Sequence, residues 1–211
     1  MTKRTASTIM LSLIVTAGSV SSAACAPPAR PNIILIVCDD LSPGILGFEG
    51  NRFIETPNID RLAREGVFFS RAYVPLPQCA PSRAAILTGQ FPHQVGVLTN
   101  TNARLPSRTR TIATALTANG YRCGLVGKWH FGSPHEPQAG FDDYWVTINL
   151  SAPKDQHYVR PSLWVAGKQE QFDRYLPELL TDHAIESVDR SGDKPFLLVL
   201  NYKTPHSPLT L

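Results

Sequence analysis

The sequence lacks a strong excess of charge of either sign. Its 20 basic and 17 acidic residues give a formal net charge of +3 at pH 7. Two of the basic residues, Lys3 and Arg4, precede Cys25 with no acidic residue among them, so the remainder of the chain is close to neutral. A nucleic-acid partner therefore has no support from overall charge. The sequence also has no internal repeat and no low-complexity segment, which argues against a solenoid or a disordered tail.

No apolar run in the sequence is long enough to cross a bilayer, which takes about 20 residues. The run at residues 9–20 is shorter, follows Lys3 and Arg4, and gives way to small residues at 21–24. This order predicts that residues 1–24 are a signal peptide and that the protein is exported. Cleavage after Ala24 would leave Cys25 at the new N-terminus, where a lipid anchor could be attached. Ordinary signal-peptidase cleavage without a lipid is the alternative.

Cysteine is scarce, with four in 211 residues. An even number in an exported protein can indicate disulfides. Cys38 and Cys123, however, each lie in an apolar segment typical of a buried strand, where a thiol behaves as a small hydrophobe. We therefore expect two buried free thiols, with a Cys38–Cys123 bond as the alternative.

Apolar and amphipathic segments alternate along the rest of the chain. The patterns predict strands at residues 32–38, 67–74, 121–127 and 195–201, and a hairpin at 164–172. They predict helices at residues 56–66, 81–88, 109–119 and 177–189. Since 43% of the residues are apolar, a chain of this length can bury a substantial core. Residues 25–211 are therefore predicted to form one α/β domain with a largely parallel central sheet flanked by helices.

Polar residues directly follow three of the predicted strands. They are Asp39 with Asp40, Lys128 with His130, and Lys203 with His206. In α/β sheets the ligand crevice lies at the carboxyl ends of the strands, so these clusters should converge on one site. Two adjacent carboxylates at a strand end repel each other unless a cation lies between them, which favours a hard divalent ion such as calcium. A capping turn at residues 42–44 is the alternative explanation for the Asp pair.

Residues 79–89 read CAPSRAAILTG and carry the most informative pattern. Pro81 favours a helix start that places Cys79 at a helix N-terminus, where free amides favour anionic groups. Arg83 lies four residues on, hence on the same helical face. The spacing of Pro, Ser and Arg after Cys79, with the Asp pair, Gly-Lys-Trp-His and Pro-His in the same chain order, resembles the formylglycine-dependent sulfatases of the alkaline phosphatase-like superfamily.

The resemblance implies the roles of specific residues. A formylglycine-generating enzyme would oxidise Cys79 to formylglycine, whose hydrated form attacks the sulfur of a sulfate ester. Ca²⁺ would be bound by Asp39, Asp40 and the modified Cys79. The catalytic residues carried over from the family are Cys79, Arg83, Lys128, His130 and His206. Arg83 would hold the modified side chain, Lys128 and His130 would contact the sulfate and the diol, and His206 would lie near the leaving oxygen.

Further implications concern the substrate and the length of the chain. The resemblance implies a sulfated small molecule or glycan, and a carbohydrate is preferred. Phosphodiester or phosphonate hydrolysis by the same modified cysteine and non-catalytic binding of sulfated glycans are the alternatives. Sulfatases continue with further calcium ligands and a sulfate-binding lysine, so this sequence is expected to be an N-terminal portion, from a fragment, a truncated product or a longer protein, with little turnover alone.

Some polar and aromatic residues have weaker assignments. Lys203 is left out of the catalytic set, because the family varies at this position and a lysine after a strand is commonly solvated. Residues that could line the substrate pocket, with loop packing as the alternative, are Trp145, His157, Tyr158, Arg160 and Trp164. Histidines that match no motif and are expected on the surface or in packing contacts are His93, His135, His157 and His183.

Overall fold

The computed structural model describes residues 30–136, 140–141, 143–153 and 156–207. The predicted signal peptide and Cys25 lie outside these residues. The strands are β1 (Ile33–Asp39), β2 (Arg122–Gly127), β3 (Tyr144–Ile148), β4 (Ser162–Val165), β5 (Lys168–Gln171) and β6 (Phe196–Pro205). The helices are α1 (Pro57–Glu65), α2 (Cys79–Thr88), α3 (Ile112–Thr117) and α4 (Leu176–Asp189). In the part of the chain that the structure describes, no helix is long and apolar enough to cross a membrane.

The strands form one six-stranded sheet in the order β1-β6-β2-β3-β4-β5. β1, β6, β2 and β3 pair in parallel, whereas β4 and β5 extend the sheet as an antiparallel hairpin. The predicted α/β class with a largely parallel sheet is confirmed. Because four parallel strands run in one direction, their carboxyl ends lie along a single edge, which we call the carboxyl edge.

Helices cover both faces of the central strands, which explains the apolar run at residues 196–200 of β6. On one face Leu197 and Val199 of β6 pack with residues of α2 and α3, including Ala84 and Ala113. On the other face Leu198 and Leu200 of β6 pack with residues of α4, including Leu179, Leu180 and Ala184. The position of each strand end at the carboxyl edge is therefore fixed by core packing on both sides.

The predicted strand at residues 67–74 does not form, and this prediction was wrong. The segment is apolar and aromatic, but Val67, Phe69 and Tyr73 are each at least 75% exposed. A strand needs a hydrogen-bonding neighbour, and among the described residues the segment has none. β1 pairs only with β6 in this part of the chain, and Ile34 and Ile36 on its outer face are half exposed.

The sequence interpretation also missed β3. All five of its residues are buried, and Trp145 lies in the core with 7% exposure. Tyr158 is fully buried as well. Trp145 and Tyr158 therefore pack in the core and do not line an open substrate pocket, which agrees with the packing alternative. A five-residue run after a glycine-containing loop is too short for its periodicity to be decisive.

Other predicted elements are present with shifted bounds. α2 begins two residues earlier than predicted, α3 is confined to Ile112–Thr117, and β6 continues to Pro205. The hairpin turns at Ala166 and Gly167, both of which have positive φ. This is the conformation that two-residue hairpin turns require.

The three described cysteines, Cys38, Cys79 and Cys123, are free. Strands β1 and β2 lie on either side of β6, about 9.6 Å apart, and along β6 Cys38 is level with Tyr202 whereas Cys123 is level with Leu197. The two cysteines are therefore too far apart for a disulfide. Cys123 is buried as expected, but Cys38 is exposed because it lies on the outer face of an edge strand.

Gly127 ends β2 in a conformation that needs glycine. Its φ is +106°, and a Cβ there would lie 2.0 Å from the carbonyl oxygen of Asn201. Gly127→Ala should therefore destabilise the fold by more than the about 1–3 kcal/mol expected from backbone strain alone. The measurement is the thermal midpoint of unfolding. Gly50→Ala is the matched control, because Gly50 has φ +100° and open space around its Cβ position. Equal midpoints for the two variants would show that the close approach to Asn201 is unimportant.

Candidate active site

Asp39 lies on the carboxyl edge, at the last position of β1. It is only 7% exposed, and its carboxylate bonds to the ammonium of Lys128 and lies 3.4 Å from Nη2 of Arg83. Burial alone would raise the pKa of Asp39, but the hydrogen bond and charge of Lys128, with the charge of Arg83, lower it. Asp39 is therefore ionised in a setting where an unpaired carboxylate would be neutralised.

Arg83 and Lys128 are brought to Asp39 by different elements. Arg83 lies in the second turn of α2 and is 4% exposed, and its Nη1 donates to the carbonyl of Lys128 at 3.2 Å. Lys128 follows Gly127 at the end of β2, and its amide donates to the carbonyl of Asn201 at 2.9 Å. Buried ion pairs thus connect α2, β1 and the end of β2, and a backbone hydrogen bond connects Lys128 to β6.

Cys79 is the first residue of α2, as the predicted helix N-terminus required. Its Sγ lies 3.2 Å from Nζ of Lys128 and 4.0 Å from Oδ2 of Asp39. Asn100 accepts a hydrogen bond from the next backbone amide, that of Ala80, at 2.9 Å. Asn100 had no recognisable signal in the sequence, because its role depends on a loop that folds against α2.

His206 and Asp40 complete the cluster. Nε2 of His206 lies 3.7 Å from Oδ2 of Asp40, whose side chain is 62% exposed. Ligand atoms of Asp39, Cys79 and His206 all lie within 4.8 Å of one another, so these three could hold a metal ion together. The predicted metal pair is therefore unequal, because Asp39 is buried in ion pairs whereas Asp40 is largely open to solvent.

His130 differs from the sequence expectation in its backbone. β2 ends at Gly127, and His130 has φ +70°, so Lys128 and His130 do not alternate along an extended strand as predicted. His130 instead lines a cavity of about 280 Å³ shared with Asn100 and Asn102. Its Nδ1 is buried without a hydrogen-bond partner among the described residues. Burial, followed by the charges of Lys128 and Arg83, lowers its pKa to about 4.

Lys203, which was left out of the catalytic set because a lysine after a strand is commonly solvated, is buried. It lies within β6 and is 3% exposed, with Nζ 4.2 Å from the centre of the Tyr158 ring. Burial lowers its pKa, and the charge of Lys128 lowers it further, while Asp39 and Asp40 act in the opposite direction. The sequence signal that could have found Lys203 is the length of β6, which runs past the predicted end of the strand.

A cleft of about 800 Å³ opens over this cluster. Its polar lining residues include Asp39, Asp40, Cys79, Arg83 and Asn100. Four of the predicted site residues thus share one cleft, His206 contacts Asp40 beside it, and Lys128 lies underneath. The histidines without a motif make the expected packing contacts, such as that of His183 with the hydroxyl of Tyr144 at 2.9 Å and that of His157 with the carbonyl of Ala152 at 2.9 Å.

The sulfatase family profile matches residues 31–211. The chain belongs to the sulfatase family. It is 36% identical over 211 residues to the N-acetylglucosamine-6-O-sulfatase of Bacteroides thetaiotaomicron. The aligned region covers 97% of this chain and 36% of that protein. It is also 32% identical over 232 residues to the N-acetylgalactosamine-6-sulfatase of Canis lupus familiaris, and this aligned region covers 94% of this chain and 44% of that protein.

Solved sulfatases share the fold. A structure of a protein in complex with its substrate D-glucosamine-2-N,6-O-disulfate superposes with a TM-score of 0.76 at 36% identity, covering 84% of this chain and 35% of that one. This confirms the predicted sulfatase fold. The chain spans between 36% and 44% of the length of the two curated relatives described above.

The low pKa of His130 gives a direct test of the site's electrostatics. Between pH 6.5 and about 4 the unfolded chain binds a proton at this position and the folded protein does not, so His130 makes the fold less stable as the pH falls through this window. In NMR spectra of the metal-free protein, its imidazole should remain neutral at pH 6 and titrate near 4. The spectrum of His130→Gln assigns the signal, and a midpoint near 6.5 would contradict this account.

Proposed function

We propose that the protein hydrolyses sulfate esters of carbohydrates through a formylglycine made from Cys79. The observation that carries the proposal is the position of Cys79, at the N-terminus of α2 and 3.2 Å from Nζ of Lys128, inside a cleft that Arg83 also lines. Relatives named as 6-sulfatases of N-acetylated amino sugars support a carbohydrate as the alcohol half of the ester.

The charges of the cleft favour an anionic substrate. Three buried cations, Arg83, Lys128 and Lys203, lie near a single buried carboxylate, that of Asp39. Nε of Arg83 and Nδ1 of His130 are buried and have no hydrogen-bond partner within the described ranges. Buried polar atoms of this kind are normally satisfied. An oxygen of a bound sulfate is a suitable partner for Nε of Arg83, and for Nδ1 of His130 in the tautomer that carries its proton there.

Formylglycine at position 79 would supply a geminal diol, one oxygen of which would displace the alcohol from sulfur. The other oxygen would then re-form the aldehyde as the C–O bond to the sulfate group breaks and sulfate leaves. The residues around it prepare this chemistry. Lys128 lies close enough to hold and polarise the side chain at 79, and the first amides of α2 stabilise negative charge there. A maturation enzyme that oxidises Cys79 is part of the proposal.

Calcium fits the donor set only in part. Asp39 and Asp40 offer carboxylate oxygens, and oxidation of Cys79 replaces a soft sulfur by oxygen, as a hard cation prefers. These residues provide fewer than the about six to eight oxygens that calcium takes, so further ligands are needed. A bound divalent cation would polarise sulfate oxygens, and its charge would compete with Lys128 and Arg83 for Asp39.

His206 is positioned to act on the departing alcohol. Its imidazole is 31% exposed, and its Nε2 lies 3.7 Å from Oδ2 of Asp40, a residue that lines the cleft. His130, with its pKa near 4, is neutral at ordinary pH and is suited to orient the diol or to accept a proton. We also propose that the protein is exported, on the basis of the residue order at 1–24.

The role of Cys79 can be tested in the complete protein produced with a maturation enzyme. Peptide mass spectrometry should show that Cys79 loses its sulfur and gains an aldehyde. Cys79→Ala should remove sulfatase activity and retain the fold, because the nucleophile is lost and alanine fits a helix start. Cys38→Ala, which removes the other thiol that lines the cleft, is the control and should stay active, because Cys38 is not in the Cys79 motif. Sulfatase activity in the Cys79→Ala protein would contradict the proposed mechanism.

The two aspartates should respond differently to removal of charge. Asp40→Asn should weaken calcium binding with little change in stability, because Asp40 is largely exposed. Asp39→Asn should weaken calcium binding and also destabilise the fold by about 3–5 kcal/mol, since it leaves Arg83 and Lys128 buried without their acid. Calcium titration and thermal unfolding of both variants are the measurements. Unchanged calcium affinity in both would assign the pair to the capping alternative.

A further inference from the structure

Of the three buried cations Arg83, Lys128 and Lys203, Lys203 alone has no acidic partner among the described residues. Arg83 and Lys128 both pair with Asp39. Nζ of Lys203 has no hydrogen-bond partner among the residues that the structure describes, although the residue is only 3% exposed. A buried ammonium without a counter-charge is unfavourable and is seldom kept without a reason.

The surroundings of Lys203 hold its side chain in place without neutralising its charge. Its ammonium lies over the ring of Tyr158 at 4.2 Å, and Tyr158 is fully buried. The hydroxyl of Tyr158 donates to the carbonyls of Lys203 at 3.2 Å and His206 at 2.5 Å. The same tyrosine therefore fixes the backbone that carries both Lys203 and His206, while a ring face compensates a cation only partly.

The charged groups that act on Lys203 are those of the catalytic cluster. Lys128 repels it, and Asp39 and Asp40 attract it without forming an ion pair. On the sheet, Asp39 of β1 pairs with Pro205, which lies two residues beyond Lys203 on the neighbouring strand β6. Lys203 therefore lies next to the end of the cleft that Asp39 lines, and its ammonium has three donors that no carboxylate or carbonyl in the described ranges accepts.

We propose that Lys203 is a substrate-binding residue whose ammonium pairs with an oxygen of the tetrahedral oxyanion in the cleft, so that the ligand provides the missing counter-charge. This inference rests on the proposed function for the identity of the oxyanion, sulfate. It adds to the residues carried over from the family, among which Lys203 has no role.

The test measures binding of inorganic sulfate to the complete protein carrying Cys79→Ala, by isothermal titration calorimetry in calcium. Lys203→Met keeps most of the side-chain length and removes the charge, so it should weaken sulfate binding by about ten- to a hundredfold. Lys203→Arg should retain most of the affinity. Lys168→Met, at an exposed lysine on β5, is the matched control and should bind sulfate like the parent.

Tyr158→Phe distinguishes the effect of the Lys203 charge from the effect of the hydrogen bonds that hold its backbone. The change removes the bonds from the Tyr158 hydroxyl to the backbone and leaves the ring under Lys203. Its loss of sulfate affinity should be smaller than that of Lys203→Met. In the active protein, Lys203→Met should also raise the KM for a sulfate ester, and Lys203→Gln repeats the measurement should the Met variant fail to fold.

Binding of sulfate is measured without turnover, so the inference and the proposed function can fail separately. Sulfate affinity that depends on Lys203 in a protein that hydrolyses no sulfate ester would overturn the proposed function and leave Lys203 as an oxyanion contact. Equal sulfate affinity in Lys203→Met and Lys168→Met would overturn the inference, as would a parent protein that binds no sulfate.

Discussion

The candidate site depends on the ion pairs of one carboxylate, that of Asp39. Its bonds to Lys128 and Arg83 connect the end of β1 to the end of β2 and to the second turn of α2. Each cation would be costly to bury alone, and the carboxylate would be neutralised without them. The same network leaves Cys79 beside Lys128, so the electrostatics that stabilise the site also place its reactive residue.

The parallel sheet makes this arrangement possible. β1, β6 and β2 are neighbours, so Asp39, Lys203 and Lys128 follow from adjacent strands that end at one edge. Helix α2 then brings its first residue to the same edge. Core packing on both faces of β6 and β2 limits movement of these ends, which a site built from buried charges needs if its geometry is to be maintained.

Most of the site could be predicted from the sequence because motifs and strand ends agreed. Asp39, Lys128 and His206 each follow an apolar run, and the Cys79 motif predicts its own helix start. The sequence could not show that Asp39 is buried in ion pairs while Asp40 is exposed, because that depends on a kink after the last residue of β1. Nor could it show that Lys203 is buried, since its environment comes from Tyr158, 45 residues earlier.

The errors in the fold have a similar origin. Residues 67–74 have strand composition but no strand neighbour in the described part of the chain. β3 has a short sequence whose pairing partners are β2 and β4 and whose side chains are buried against distant parts of the chain, including α4. Strand formation is decided by partners that are distant in sequence, whereas helix ends such as Gly66 and Gly89 are encoded locally.

The central claim is that this cluster cleaves sulfate esters of sugars. The most direct measurement compares sulfate release from the 6-sulfates of N-acetylglucosamine and N-acetylgalactosamine with phosphate release from the matched 6-phosphates, using the complete, matured protein in calcium. The account predicts sulfate release from at least one sulfated sugar and far slower release of phosphate. Phosphate release that equals or exceeds sulfate release, or no sulfate release from either sugar, would contradict it.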